Sequence, residues 1–151
     1  FELIDTDDLI EKKCGMKISQ IVKEKGWKFF RKKETEICKS LKNRKKTIIA
    51  TGGGMLLNPK NAEILKSMGT IFLLKEKPAI LAKRIKHDTN RPPLTRHRSL
   101  TAEMKQLWED RRANYYKYAD FIIQTDKNPG TKEKDAEFKS NQIITLLNFH
   151  D

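Results

Sequence analysis

The sequence predicts an α/β fold in which helices flank a parallel sheet, and three observations carry that prediction. Four short aliphatic runs recur along the 151 residues: Phe1 to Ile4, Thr47 to Ala50, Thr70 to Leu74 and Phe121 to Ile123. Most are near-continuous rather than alternating, the pattern of parallel strands covered on both faces. Segments with helical spacing separate them, and the resulting order β-α-β-α-β-α-β implies right-handed crossovers onto one sheet.

Taken in order, the first helix is expected over Asp7 to Lys13, with Thr6 or Asp7 as N-cap and Gly15 as its breaker. Ile18, Ile21 and Val22 form a short amphipathic stripe that stops near Gly26. Ile37, Cys38 and Leu41 then share one side of a helix over Thr35 to Leu41. Asn58-Pro59 precedes a helix over Asn61 to Met68, which Gly69 ends. Pro78 opens the next one, running through Ala82 to Ile85. The longest is expected from Thr101 to about Tyr118, with Glu103 in its first turn suited to the helix dipole. Lys127 to Lys134, containing Asn128-Pro129-Gly130, reads as a polar turn segment, and Ile143 to Leu147 as a closing helix. No internal repeat or long linker divides the chain, so residues 1–151 are expected to form one domain.

Residues His87 to Leu100 break the pattern. They lack apolar periodicity, hold Pro92 and Pro93, and gather Arg91, Arg96 and Arg98 with His87 and His97. A loop of that length inside a compact fold points to a lid or binding loop, with a solvated basic loop as the plain alternative.

Composition bounds the function. Lys plus Arg number 32 against 20 Asp plus Glu, a net charge of +12 that favours an anionic partner: nucleic acid, a lipid surface or a phosphorylated small molecule. The aliphatic runs exclude wholesale disorder. No apolar stretch approaches the roughly 20 residues of a membrane-spanning helix. Cys14 and Cys38 are too few and too far apart for a metal knuckle or disulfide framework, so each is expected on the apolar face of a helix in a reducing compartment.

Ligands of open α/β sheets bind beyond the carboxyl ends of the strands, and the informative residues fall there. The first strand ends in Asp5-Thr6-Asp7, whose carboxylates share one side if the chain stays extended. Such a pair can hold Mg²⁺ through water and take a proton from a hydroxyl. The competing reading has Asp7 merely capping the next helix. The second strand ends in Thr51-Gly52-Gly53-Gly54, costly in backbone entropy and sensible where backbone must approach a ligand, although a tight turn would also use it. No Gly-Lys-Ser or Gly-Lys-Thr occurs in the 151 residues, so they contain no Walker A segment. Arg31 and Glu34 form an i,i+3 pair near a helix start, able to grip a carboxylate or simply to pair at the surface. Arg111 with Tyr115 and Arg112 with Tyr116 each share a helix face, and spacing alone does not choose between them. Tyr115, Tyr116 and Tyr118 suit either a core edge or a stacking surface for nucleobases.

Together and in this order, Asp5-Thr6-Asp7, Phe30-Arg31-Lys32-Lys33-Glu34, Gly52-Gly53-Gly54, Arg91-Pro92 and Arg111-x-x-x-Tyr115 with Ala119-Asp120 resemble the shikimate kinase family, from Phe1 to about Thr125. The resemblance implies a P-loop nucleoside-monophosphate-kinase-like fold with a five-stranded parallel sheet. With four strands counted, it implies that the first strand and the P-loop are absent from this chain. It implies transfer of the γ-phosphoryl of ATP to the 3-hydroxyl of shikimate, in the pathway to chorismate and the aromatic amino acids. By the same resemblance, Asp5 contacts Mg²⁺ through water, while Asp7 binds the shikimate hydroxyl and acts as base. Arg31 and Arg111 clamp the carboxylate, Glu34 supports Arg31, and Gly53 and Gly54 line the pocket with backbone. Arg91 reaches the transferring phosphoryl group, and Arg84 packs near adenine. The distance back from Ala119 picks Arg111 over Arg112.

Two departures stand out. Arg91-Pro92-Pro93-Leu94 replaces the family's usual Arg-Pro-Leu-Leu, which stiffens the loop, and Thr51 stands where a small residue is common. The expected protein is a cytoplasmic monomer that takes shikimate, ATP and Mg²⁺, with no membrane or nucleic-acid partner. The competing readings are a related small-molecule kinase such as gluconate kinase and a non-catalytic shikimate-kinase-like protein. A basic nucleic-acid-binding domain is a third, but it leaves the triple glycine and paired aspartates without a role.

Overall fold

Asp5 ends a strand and begins a helix, and much of the architecture follows from that junction. The computed structural model describes residues 1–92, 94–95, 99–125 and 132–148. The expectations placed on Pro93, Arg96, His97, Arg98 and the Asn128-Pro129-Gly130 turn lie outside the described residues. The elements run β1 (Glu2–Asp5), α1 (Thr6–Cys14), α2 (Ile18–Ser40), β2 (Thr47–Ala50), a 3₁₀ turn (Met55–Leu57), α3 (Pro59–Met68), β3 (Phe72–Lys75), α4 (Pro78–Ile85), α5 (Leu100–Tyr118), β4 (Phe121–Gln124) and α6 (Lys132–Asn148).

The expectation that the fold's first strand is absent is corrected. The chain opens on an N-terminal strand, β1, which pairs in parallel with β2 from Glu2 opposite Thr47 to Asp5 opposite Ala50. The ladder is extended by the Glu2 N–H donating to the Lys46 carbonyl at 3.0 Å, and Ile4 is buried beneath it. The run Phe1 to Ile4 is itself an expected strand; the absence follows only from counting against a five-stranded layout, and a count cannot replace observed pairing. The single sheet is corrected too. Among the described residues the strands form two parallel pairs, β1 with β2 and β3 with β4.

Helix ends account for the remaining differences. Asp5, in extended conformation, caps α1: its Oδ1 accepts from the N–H groups of Asp7 at 2.8 Å and Asp8 at 3.4 Å. Neither Thr6 nor Asp7 is the cap, and the carboxylate of Asp7 is released for other work. Gly15 closes α1 in the left-handed region at φ 66°. Gly26 does not end a helix as expected. It takes φ 77°, kinks the chain, and α2 resumes at Trp27, joining both expected stripes into 23 residues. The expected closing helix begins earlier, within α6.

The main core lies between α1 and α2, where Ile10 and Ile21 are wholly inaccessible and Ile4, Ile18, Phe30, Ile37 and Leu41 pack around them. Full burial of such a side chain contributes roughly 1.5–3 kcal/mol. A second cluster, Cys38 with Met55 and Leu65, joins α2 to α3. Cys14 and Cys38 are free, and burial pushes the Cys38 thiol up. Among the described residues no helix is long and apolar enough to cross a membrane. The register of β1 on β2 sets Asp5 beside Ala50, so the Asp5-Thr6-Asp7 corner and the Gly52-Gly53-Gly54 turn leave the ladder side by side.

Candidate active site

A cavity of about 510 Å³ opens where those two strands end. Asp7 enters it from the first turn of α1, Arg31 and Glu34 from the middle of α2, and Arg111 and Tyr115 from α5. Gly52, Gly53 and Gly54 form its floor, and Asp88, Asn90, Arg91 and Pro92 lie along its rim.

Each glycine faces a functional side chain, and Gly53 faces two, Tyr115 and Arg111. A Cβ on Gly52 would lie 3.1 Å from Asp7 Oδ1, and one on Gly53 would lie 3.0 Å from the Tyr115 hydroxyl. A Cβ on Gly54 would collide with the Arg31 guanidinium. The triple glycine is therefore a close-approach surface rather than a plain turn. Tyr115 Oη donates to the Gly53 carbonyl at 2.6 Å, which ties α5 to the turn. Arg111, one helical turn earlier, is thereby directed into the cavity. Arg112 instead pairs at the surface with Glu109 at 3.0 Å, so the structure selects Arg111. The tyrosine cluster divides: Tyr118 is buried, while Tyr116 packs edge-on against Trp108 and meets Lys75 at 2.9 Å.

Arg31 is held on several sides, and it lies mid-helix rather than near a helix start. One guanidinium nitrogen, Nη1, contacts both oxygens of Glu34 at 2.7 Å. The group also lies 5.2 Å from the Trp27 ring centre and 5.4 Å from that of Phe30, within cation–π range. Glu34 is almost wholly buried. Burial raises its pKa, opposed by the hydrogen bond from Arg31 and the charges of Arg31 and Arg111.

Asp7 has its pKa raised from 3.8 to about 6. Burial is the main cause, reinforced by Asp5, Glu34 and Glu11 and opposed by Arg31. Asp5 itself is exposed and caps α1, and it no longer shares an extended strand with Asp7. Among the described residues no group of three or more His, Cys, Asp or Glu forms a metal cluster. Arg91 donates to Glu103 Oε1 on α5 at 3.3 Å and lies 3.7 Å from the Met104 sulfur. Arg84 stands apart from the cavity, in the last turn of α4, and donates to Glu76 at 3.1 Å.

Several residues of the cavity and its immediate surroundings escaped the sequence. Glu11 lies one helical turn past Asp7, and i,i+4 spacing could have flagged it. Trp27 was hidden behind the expected stop at Gly26. Glu103 had been assigned to the helix dipole, yet its side chain is buried against Arg91. The charge of the lining differs from expectation as well. Asp7, Asp8, Glu11, Glu34 and Asp88 outnumber Arg31, Arg91 and Arg111, five to three, so the surplus of +12 resides mainly on other surfaces.

Two guanidinium groups, a carboxylate of raised pKa and a glycine floor at the ends of parallel strands define a small-molecule phosphotransferase, a kinase for an acidic hydroxyl compound. A family model for shikimate kinase matches residues 1–144, and the chain belongs to that family. The match takes in the N-terminal strand β1 from its first residue. The shikimate kinase of Cupriavidus pinatubonensis is 37% identical over 127 residues, covering 84% of this chain and 66% of the relative. That of Caldanaerobacter subterraneus subsp. tengcongensis is 36% identical over 146 residues, covering 97% and 83%. The structure of shikimate kinase from Acinetobacter baumannii in complex with shikimate superposes with a TM-score of 0.85 at 28% identity, covering 97% of this chain and 79% of that one. The fold is the α/β, P-loop nucleoside-monophosphate-kinase-like one. ATP-dependent phosphorylation of shikimate is the activity that membership assigns, with Mg²⁺-ATP as the donor the family uses.

Proposed function

We propose that shikimate lies over the Gly53-Gly54 floor, with its carboxylate between Arg31 and Arg111 and its 3-hydroxyl at Asp7. The carrying observation is that both guanidinium groups face this one glycine turn while Asp7 abuts Gly52. Arg31 arrives oriented by Glu34 and two rings, so its planar fork is ordered before the ligand binds. Asp7, raised to about 6, is mostly ionised at neutral pH yet close enough to it to take a proton effectively. As the hydroxyl oxygen attacks the γ-phosphorus of ATP, the bond from that phosphorus to the bridging oxygen breaks and releases ADP. Asp7 accepts the hydroxyl proton, and Arg91 leaves Glu103 to meet the charge on the transferring group.

The neighbouring carboxylates of Asp5 and Asp7, which repel one another, suit a hydrated divalent cation. Mg²⁺ bound there supplies neutralisation of phosphate charge. In this reading Arg84, which lies outside the cavity and donates to Glu76, would flank the nucleotide rather than shikimate. The reaction is assigned to a cytoplasmic monomer, in keeping with two free cysteines.

Calorimetric titration with shikimate and with gluconate tests the site without requiring turnover. Shikimate binding that weakens by about ten- to a hundredfold in Arg31→Ala supports the clamp, from the usual worth of charge-assisted hydrogen bonds. Unchanged affinity, or preference for gluconate, overturns it. Coupled ADP release with each acceptor then tests the transfer step.

A further inference from the structure

The rim of the cavity contains a contact that the reaction does not call for. Asn90 Nδ2 donates to Glu11 Oε1 at 2.7 Å, across 79 residues of sequence. Glu11 is not a roaming surface acid. Its Oε1 also accepts from the Ile18 N–H at 2.9 Å, its Oε2 meets Lys17 Nζ at 2.7 Å, and its side chain is only 12% exposed. Burial pushes its carboxyl up, but the hydrogen bonds from Lys17, Asn90 and Ile18 outweigh this and hold it below its ordinary value. Glu11 is thus a fixed charged post on α1, one helical turn from Asp7.

Asn90 is equally constrained. Its backbone N–H donates to Asp88 Oδ1 at 2.9 Å, a local turn that stiffens the approach to the loop. The next residue, Arg91, grips Glu103 on α5, the opposite wall. Two consecutive residues therefore span the mouth of the cavity, Asn90 on the α1 side and Arg91 on the α5 side. A neutral amide suits this place, because it donates to Glu11 without adding another charge beside five acids.

We propose that Asn90 and Glu11 form a positioning pair that fastens the Arg91 loop to the helix carrying Asp7. When Arg91 leaves Glu103 for the phosphoryl group, it then moves about a tethered neighbour, and its reach relative to Asp7 is set. Neither residue is catalytic; each acts through Arg91. The functional part of this inference rests on the proposed shikimate site, whereas the tether itself does not.

The experiment separates the two. Hydrogen exchange of residues 86–95, measured without ligand, is expected to quicken about tenfold in Asn90→Ala, the worth of one hydrogen bond to a charged acceptor. Exchange in α2 and the melting temperature stay unchanged. Asn90→Gln, which keeps the amide, restores much of the protection. Glu11→Gln retains an acceptor for Ile18 but loses the charge, and combined with Asn90→Ala it adds little further loosening. Unchanged exchange in Asn90→Ala, or fully additive effects, overturns the tether. In kinase assays kcat is expected to fall about five- to tenfold with a smaller change in shikimate KM. Loosened exchange with unaltered kcat would overturn the positioning role, and failure of the parent chain to bind shikimate would sink the proposed site while leaving the exchange result decisive for the tether.

Discussion

Arg31 and Arg111 face the same glycine turn, but the α1–α2 wall holds its arginine much more firmly than the α5 wall does. Arg31 has Glu34 at 2.7 Å and two aromatic rings against it, and sits on a helix anchored by Ile18, Ile21 and Phe30. Among the described residues Arg111 has no ion-pair partner, and α5 is fastened to the floor chiefly through Tyr115. The α1–α2 wall is thus arranged before the ligand arrives, whereas the α5 wall can adjust to it. Preorganisation lowers the cost of binding, and adjustable cations suit charge that appears only during transfer.

The most severe way to break this arrangement is to remove the proposed base, Asp7, from the firm wall. Asp7→Asn keeps the shape of α1, because the cap belongs to Asp5. Its kcat in coupled ADP release is expected to fall by about 10²- to 10⁴-fold, the usual contribution of a positioned acid or base. A loss below about tenfold would show that Asp7 only binds the hydroxyl.

Truncating each arginine sharpens the comparison directly. Both Arg31→Ala and Arg111→Ala should weaken shikimate binding by about ten- to a hundredfold. Stability should tell them apart. Arg31→Ala leaves the buried Glu34 without its main partner, at a cost of about 1–3 kcal/mol once the partial exposure of Arg31 is allowed for. Arg111→Ala, with no such partner, should leave the urea midpoint unchanged. Equal destabilisation by both would mean that the two walls hold their arginines alike.

The sequence showed these arginines and hid how they are held. Near-continuous aliphatic runs located all four described strands within a residue or two, because parallel pairing needs apolar faces. How the strands join into ladders is not written in such runs, which is why two parallel pairs were read as one sheet. The absence of a first strand came from the family's five-strand layout rather than from the runs, and the N-terminal strand β1 overturns it. Gly26 looked like a stop, since glycine usually ends helices. Packing of Ile21 and Phe30 on one core carried the helix through the kink and brought Trp27 to the cavity. Asn90 and Glu103 were illegible for a different reason. Each works through a partner distant in sequence, and local spacing carries no trace of it.

Acidity probes the firm wall more gently. The pKa of Asp7 is raised from 3.8 to about 6, so between those values the folded protein binds more protons than the unfolded chain. The contribution of Asp7 to stability is therefore greatest at low pH and declines as pH rises from about 4 to 6. Activity should run the other way, because the ionised form is the proposed base: kcat/KM for shikimate should climb with pH through about 6 and then level off. Asp7→Asn should flatten that acid limb, and a limb that persists in the variant would assign it to another group.

The smallest effect is expected at Arg84, which lies on the adjustable side of the molecule but outside the cavity. Its guanidinium meets Glu76, whose side chain is buried and also accepts from the Thr125 hydroxyl at 2.8 Å and the Lys77 N–H at 2.9 Å. Removing Arg84 thus leaves Glu76 partly satisfied, and no shikimate-facing group is touched. Arg84→Ala should keep shikimate affinity within about twofold, a change within the range of ordinary surface substitutions. If it flanks the nucleotide, KM for ATP should rise while shikimate affinity holds. A marked loss of shikimate binding would instead mean that the β3–β4 side shapes the acceptor pocket, and the contrast between a fixed and an adjustable wall would have to be redrawn around α4.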